Sequence, residues 1–358
     1  MSLFFIFCNS LFRDKFCYMS REEMTMKKIG ITTTVPIEVL LAANYEVVDL
    51  NNIFITSTDY NKYIDIAERD GFPKSSCAWI KGIYGACLEN GIKEVLGVIE
   101  GDCSNTRALI EVMELKGIKV YPFAYPHSHK LADIKTSIND FMKLFDVREE
   151  EVEKVRARLS SLRSLAAEID RLTYKNNKAT GFENHLYQVS CSDFNSNLVE
   201  FEAKLKEKVE EISKREEIKK KLRLGFIGVP PMTCDIYEYV NNFDAYFVYN
   251  EVQREFAFPR VVESDNIYQQ YYDYTYVYDL DFRLAEVKKQ IKLRDLDGII
   301  HYTQAFCYRE IEDIVIKEQL DIPILNIVGD KQNSLDSRTK LRLEAFLDML
   351  GDLKERRL

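Results

Sequence analysis

The sequence predicts an α/β protein: two doubly wound α/β domains with parallel sheets, joined by a helical insertion. Three observations carry that expectation. Short β-rich runs alternate with helical patterns over residues 26–132 and again over 222–358, the rhythm of parallel strands with crossover helices. Between them, from Asp133 to Lys221, the composition turns charged and helical. Cysteines recur where a β-rich run gives way to a helical one, the side of an open α/β sheet on which ligands bind.

The elements follow in order. Residues 1–25 differ from the rest: their apolar part, Leu3 to Phe7, is too short for a signal sequence or a membrane span, and no small-residue cleavage site follows. They are read as a disordered leader or a misassigned start, which leaves Cys8 and Cys17 without a role, and Met26 is the natural beginning. KIGITTT, Lys28 to Thr34, reads as a strand, and Pro36 opens the helical pattern PIEVLLAANYE. VVDLNN is the second strand. In GFPKSSCAWIKGIYGACLENG, Ser75 and Ser76 are helix-cap candidates beside Cys77. The strand Val95 to Ile99 runs into EGDCSNTRALIEVMELKG, where Asp102 or Ser104 suits the cap and Cys103 sits at the junction. IKVYPFAYP returns as a strand and closes the first domain near Pro126.

In the insertion, Val152, Val155, Leu159, Leu162, Ala166 and Ile169 recur at helical spacing, and Leu198, Phe201, Leu205, Val209 and Ile212 nearly do. Two long amphipathic helices joined by a polar loop, Tyr174 to Asn197, fit that pattern. Charge runs such as KLKEKVEEISKREEIKKK read as solvated faces. The strand Leu222 to Val229 then restarts the α/β rhythm and leads through Pro230 and Pro231 to Cys234. AYFVYNEV is the next strand. Six tyrosines crowd between Tyr268 and Tyr278, expected to pack under a loop or against a second subunit, with a cleft wall as the other reading. The strand Leu296 to Ile300 passes into HYTQAFCYRE and the helical IEDIVIKEQL, which places Cys307 at a third strand-to-helix junction. A strand from Ile322 to Val328 and a helix from Ser337 to Leu350 finish the chain.

Bulk properties exclude several functions. A chain of 358 residues is long enough for two or three domains. No apolar run is long enough to cross a bilayer, and a net charge of −9 with acids and bases interleaved gives no basic face for nucleic acid. Eight cysteines without paired spacings imply no disulfide framework and a reducing, cytoplasmic setting.

Four cysteines, Cys77, Cys103, Cys234 and Cys307, each lie close to a predicted helix start, and at Cys307 the helix dipole and free N–H groups are expected to lower the thiol pKa. Buried cysteines are common, so a single one would mean little. Four equivalent placements, two from each α/β domain, point to convergence at the cleft between domains. Cys87 differs, since a continuous helix puts it roughly 15 Å beyond Cys77, in line with Ile80, Ile83 and Tyr84, which argues for core packing. Cys191 reads as incidental. Structural zinc favours close pairs such as CxxC, and there are none. His127 and His129 read as a solvated turn, and His301 as either a core residue or a neighbour of the Cys307 site. Dispersed thiolates suit an iron–sulfur cluster better. With no GxxxxGK[ST] motif, any nucleotide hydrolysis would need a partner.

These residues resemble the 2-hydroxyacyl-CoA dehydratase D-component-like iron–sulfur proteins over roughly residues 28 to 350. The likeness rests on VPIEVLLAANYEVVDLN, GFPKSSCAWIKG around Cys77, GDCSNTR around Cys103, HYTQAFCYREIEDIVIKEQLDIPILNIVGD around Cys307 and SRTKLRLEAFLDML, in that order. The resemblance implies a 4Fe-4S cluster held by Cys77, Cys103 and Cys307 with one iron open, and an ATP-hydrolysing iron–sulfur activator that supplies an electron. It also implies a 2-hydroxyacyl-CoA substrate that loses water through a ketyl radical, and a homodimer or a heterodimer with a homologous subunit. Cys234 is a fourth thiol in a matching place, and with Cys87 it raises an alternative from related proteins: an ATP-dependent reductase of small molecules with a double-cubane 8Fe-9S cluster. A non-catalytic iron–sulfur electron-transfer protein is the third reading.

Overall fold

The computed structural model describes residues 26–331 and 334–357, so the expected leader with Cys8 and Cys17 lies outside the described residues. The first half runs β1 (Lys27–Ile31), α1 (Ile37–Ala42), β2 (Tyr45–Asp49), α2 (Leu50–Thr56), α3 (Asn61–Arg69), α4 (Ala78–Glu89), β3 (Glu94–Glu100), α5 (Asn105–Leu115) and β4 (Lys119–Ala124). Its four strands are parallel in the order β2-β1-β3-β4. Ile29, Ile31, Leu96 and Val98 feed one apolar cluster while Val95 and Val120 feed another, so both faces of the sheet are covered. The second strand ends one turn earlier than expected. Asp49 accepts the N–H of Asn51 at 2.9 Å and caps α2, which takes Leu50, Asn51 and Asn52 out of the strand.

Four helices follow: α6 (Leu131–Leu144), α7 (Glu149–Tyr174), α8 (Gly181–Val189) and α9 (Leu198–Ser213). The expected polar loop from Tyr174 to Asn197 is therefore a helix followed by two 3₁₀ turns, Ser190–Ser192 and Phe194–Ser196. A capping box starts α8, with Thr180 Oγ1 accepting the Glu183 N–H at 3.1 Å and Glu183 accepting the Thr180 N–H at 3.0 Å. The segment reads as polar because its polar groups are buried and paired: Asn184 donates to Asp170 at 2.9 Å and Gln188 to the Ala166 carbonyl at 2.7 Å. The charged run of α9 is solvated as expected, laced by pairs such as Lys204–Glu200 and Lys214–Glu210.

The second half runs β5 (Leu222–Gly228), α10 (Asp235–Asn241), β6 (Ala245–Asn250), α11 (Glu251–Phe256), α12 (Ile267–Tyr272), α13 (Leu280–Leu293), β7 (Gly298–Gln304), α14 (Arg309–Gln319), β8 (Ile324–Gly329) and α15 (Ser337–Arg357). Its strands are again parallel, in the order β6-β5-β7-β8. Alternate residues separate the faces: Leu224, Phe226, Ile300 and Tyr302 lie in one cluster, and Ile227 and Ile299 in the other. Both halves are thus doubly wound and share one strand order, with the chain reversing direction across the sheet between β1 and β3 and between β5 and β7.

Buried ion pairs tie the helical segment to both sheets. Arg163 of α7 meets Glu38 of α1 at 2.6 Å, and Arg294 after α13 grips both Asp170 oxygens of α7 at 2.8 and 2.6 Å. Of the six crowded tyrosines, Tyr268, Tyr271 and Tyr274 sit in the core that joins the first sheet to α7 and α9, as the packing reading expected. No helix among the described residues is long and apolar enough to cross a membrane.

Candidate functional site

Because the two sheets share one strand order, their reversal points place four turns at carboxyl edges: those after β1, β3, β5 and β7. All four turns line one cavity of about 120 Å³, through Thr32, Thr33 and Thr34, through Asp102 and Cys103, through Val229, Pro230 and Pro231, and through Cys307, Tyr308 and Arg309. Cys77 joins them from the start of α4. The structure therefore brings together Cys77, Cys103 and Cys307, two thiols from the first half and one from the second. Cys234 and Cys87 are not among the lining residues.

The backbone at each thiol explains the division. Cys77 itself is the N-cap of α4, in place of the expected Ser75 or Ser76, and its sulfur faces the N–H groups of Trp79 and Ile80, the second and third residues of the helix. Cys103 and Cys307 each stand two residues before a helix begins, and each sulfur faces the N–H of that first helical residue, Asn105 or Arg309. Each approach needs a backbone bend. Gly101 has φ +90°, where an added Cβ would lie 2.7 Å from Tyr125 Cβ, and Phe306, exposed and non-glycine, takes φ +67° directly before Cys307. The other thiols act as donors. Cys234 Sγ gives its proton to the Pro231 carbonyl at 3.4 Å, Cys191 to Tyr187 at 3.3 Å and Cys87 to Ile92 at 3.7 Å.

The expected lowering of thiol pKa by helix starts is overturned for the chain without a bound group. Burial pushes the Cys77 thiol up to about 11 and Cys103 up to about 12, and raises Cys307, in each case against the opposing pull of the backbone N–H groups. Cys77 and Cys307 also act on Cys103 as like charges, which reflects how close the three stand. At neutral pH Cys77 and Cys103 are therefore protonated thiols, and a bound cation is what would hold the trio as thiolates.

The other lining residues fit an iron–sulfur group. Trp79 brings an indole N–H that is buried and without a partner, and Gln304 a buried amide oxygen in the same state, so the wall holds polar groups awaiting something. Arg309 is a buried cation whose guanidinium lies 4.5 Å over the Tyr276 ring and 3.5 Å from Glu312, and it opposes the burial that raises the Asp102 carboxyl. Among the described residues no three His, Cys, Asp or Glu side chains are grouped to hold a single metal ion. A cluster places several iron and sulfide atoms between its thiolates and so suits a wider trio than one ion does.

Sequence reasoning missed several wall residues. Asp49 and His185 both line the cavity, and burial holds the His185 imidazole down at about 4, so it is neutral. His185 sits on α8, inside the stretch read as a loop, where the T-x-x-E signature of Thr180 and Glu183 was the available signal. The remaining histidines serve elsewhere. His301 is buried and bonds Asp313 at 2.8 Å, His129 stacks on Tyr278 at 3.8 Å, and His127 is exposed. Tyr276, alone among the six crowded tyrosines, reaches the cavity wall.

The family model for the D-component of 2-hydroxyglutaryl-CoA dehydratase matches residues 32–350. No curated protein matches the chain.

Proposed function

Since the chain belongs to the 2-hydroxyglutaryl-CoA dehydratase D-component family, we propose that it is the iron–sulfur subunit of a dehydratase-like enzyme that removes water from a 2-hydroxyacyl-CoA. The observation that carries this reading is the trio of thiols, drawn from both sheets, that face one cavity and the N–H groups of three helix starts. Cys77, Cys103 and Cys307 would hold a 4Fe-4S cluster, and three protein ligands leave one iron free for substrate. When bound, such a cluster supplies single-electron chemistry at the thioester carbonyl, which no acid–base pair of the chain can provide. The electron comes from an ATP-hydrolysing iron–sulfur activator, and a second homologous subunit or copy completes the assembly.

The chain's own residues prepare the place. The N–H groups of Trp79, Ile80, Asn105 and Arg309 offset negative charge on sulfur, as hydrogen bonds to cluster ligands do elsewhere. The Trp79 indole N–H is an unpaired donor for a sulfide or thiolate sulfur, and Arg309 offsets negative charge on Cys307. Tyr276, Trp79, Tyr308 and Phe256 give the cavity aromatic walls. The position of Cys87 and Cys234 outside the lining favours the single cubane over a double one.

Iron and sulfide counting after anaerobic purification tests the reading. About four irons per chain is expected, whereas about eight would favour the double-cubane reductase. An absence of iron after anaerobic reconstitution would remove every cluster-based reading. Turnover of a 2-hydroxyacyl-CoA with activator and ATP then separates an enzyme from an electron carrier.

A further inference from the structure

At the end of the cavity formed by β2 stands a second chemical feature. Asp49 ends that strand and lines the cavity, while Asp193 lies 144 positions along the chain, between the two 3₁₀ turns that follow α8. The Asp193 Oδ2 atom accepts the backbone N–H of Asp49 at 2.8 Å, and its Oδ1 accepts the Asn195 N–H at 2.9 Å and the Asn52 amide at 3.3 Å. Asp49 Oδ1 accepts the N–H of Asn51 at 2.9 Å and the Asn51 amide at 2.8 Å. Both carboxyls are buried, and these donors are all neutral.

The charged groups packed around the pair do not relieve it. Asp102, in the turn after β3, acts with Asp49 as a like charge. Arg163 of α7 reaches toward Cys191 beside Asp193, but it is already engaged with Glu38 of α1 at 2.6 Å. Among the described residues no lysine or arginine hydrogen-bonds either carboxyl. Two buried carboxylates with only neutral partners resist ionising together.

We infer that Asp49 and Asp193 hold one proton between them at neutral pH, and that this proton serves the cavity through Asp49 as the acid for an oxygen leaving group. Burial and the charge of Asp49 push Asp193 up to about 7, and burial raises Asp49. In the proposed dehydration the C–O bond breaks with its electron pair on oxygen. The proton of the pair passes to that oxygen, water leaves, and the dianionic pair takes a new proton from solvent. The leaving group rests on the dehydratase reading, whereas the shared proton does not.

Infrared spectroscopy of the full-length protein, as purified and with ¹³C-labelled aspartate, tests the pair. The expected result is a protonated-carboxyl band at neutral pH that titrates away at about pH 7 and is missing in D193N, which separates it from any band of Asp102. In D49N the midpoint should fall by about one unit or more as like-charge repulsion is lost. No such band, or an unchanged midpoint in D49N, overturns the inference.

Should D49N fail to fold, stability against pH decides. Asp193 has a folded pKa above its unfolded value of about 3.9, so its contribution is complete below that pH and lost as pH rises through about 7. The difference in Tm between the wild type and D193N should therefore shrink across that window, and a flat difference refutes the shared proton. With the loaded enzyme, D193N should slow turnover by roughly 100-fold, the usual worth of a placed proton donor, at unchanged iron content. Unchanged turnover would sink the proton-donor role. If the wild type itself turns over no 2-hydroxyacyl-CoA, the dehydratase reading fails and the spectroscopy still judges the pair.

Discussion

The turns after β3 and β7 occupy the same place in two sheets of the same strand order, and each aims one sulfur at a helix start. The turns after β1 and β5 match one another equally well and deliver no thiol to the cavity. After β1 the chain offers Thr32 to Pro36, without cysteine, and after β5 it offers Cys234, whose proton is turned back to the Pro231 carbonyl. The difference teaches that position in the topology is not enough. A thiol becomes a candidate ligand where the backbone presents N–H groups that stabilise its anion, and stays structural where the backbone presents a carbonyl that takes its proton.

The sharpest way to break that comparison is to remove thiols from each class. Cys103→Ala and Cys307→Ala should each lose most of the iron taken up in anaerobic reconstitution, since two remaining thiolates hold a cubane poorly. Cys234→Ala and Cys87→Ala should keep the wild-type count. A comparable loss in Cys234→Ala would show that its carbonyl contact gives way to ligation, and the rule drawn from the two pairs of turns would fall.

A second prediction concerns what holds the two halves in place, because the thiols of β3 and β7 meet only if both sheets stay docked on α7. Arg163→Met strands Glu38, and Arg294→Met strands Asp170, each a buried carboxylate left without its main cation. Each change should cost about 3–5 kcal/mol in urea unfolding, the usual result of breaking a buried pair from one side. Glu38 keeps the Tyr271 hydroxyl at 2.9 Å and the Gln270 amide at 2.8 Å, while Asp170 keeps the Asn184 amide at 2.9 Å and the Arg254 guanidinium at 3.5 Å, so the two losses should be comparable. A cost near zero at either position would mean that sheet packing alone fixes the cavity.

The same contrast separates what the sequence discloses from what it hides. Local signals sufficed for the two parallel sheets and for the helix starts beside Cys77, Cys103, Cys234 and Cys307, because each start lies within a few residues of its thiol, but they did not separate Cys234 from the three that line the cavity. The failures are non-local. Burial, which raises all three thiols against their helix starts, depends on walls contributed by both halves. The Asp49–Asp193 contact joins residues 144 apart, and nothing near either one announces it. The segment that carries His185 was misread because polarity suggested solvent, while its Asn184 and Gln188 are polar and buried. There the local capping box was present and composition masked it.

The smallest expected effect tests the contact between halves at the surface. Glu68 of α3 accepts Lys81 Nζ at 2.9 Å and Lys331 Nζ at 2.6 Å, the latter from the segment after β8, and the Tyr60 hydroxyl donates to the Lys331 carbonyl at 3.1 Å. Hydrogen bonds from Lys331 and Lys81 hold the Glu68 carboxyl down at about 2. A carboxyl lowered in the fold contributes stability above its unfolded value of about 4.3 and loses it as pH falls through about 2. Lys331 is partly exposed, so screening limits the bridge, and Lys331→Met should cost at most about 1 kcal/mol at neutral pH. The Tm gap between this variant and the wild type should narrow with added salt and close as the pH is lowered through that window. A gap as large as that of Arg163→Met, or one indifferent to salt and acid, would mean that the halves are locked at their rim rather than through the buried pairs on α7.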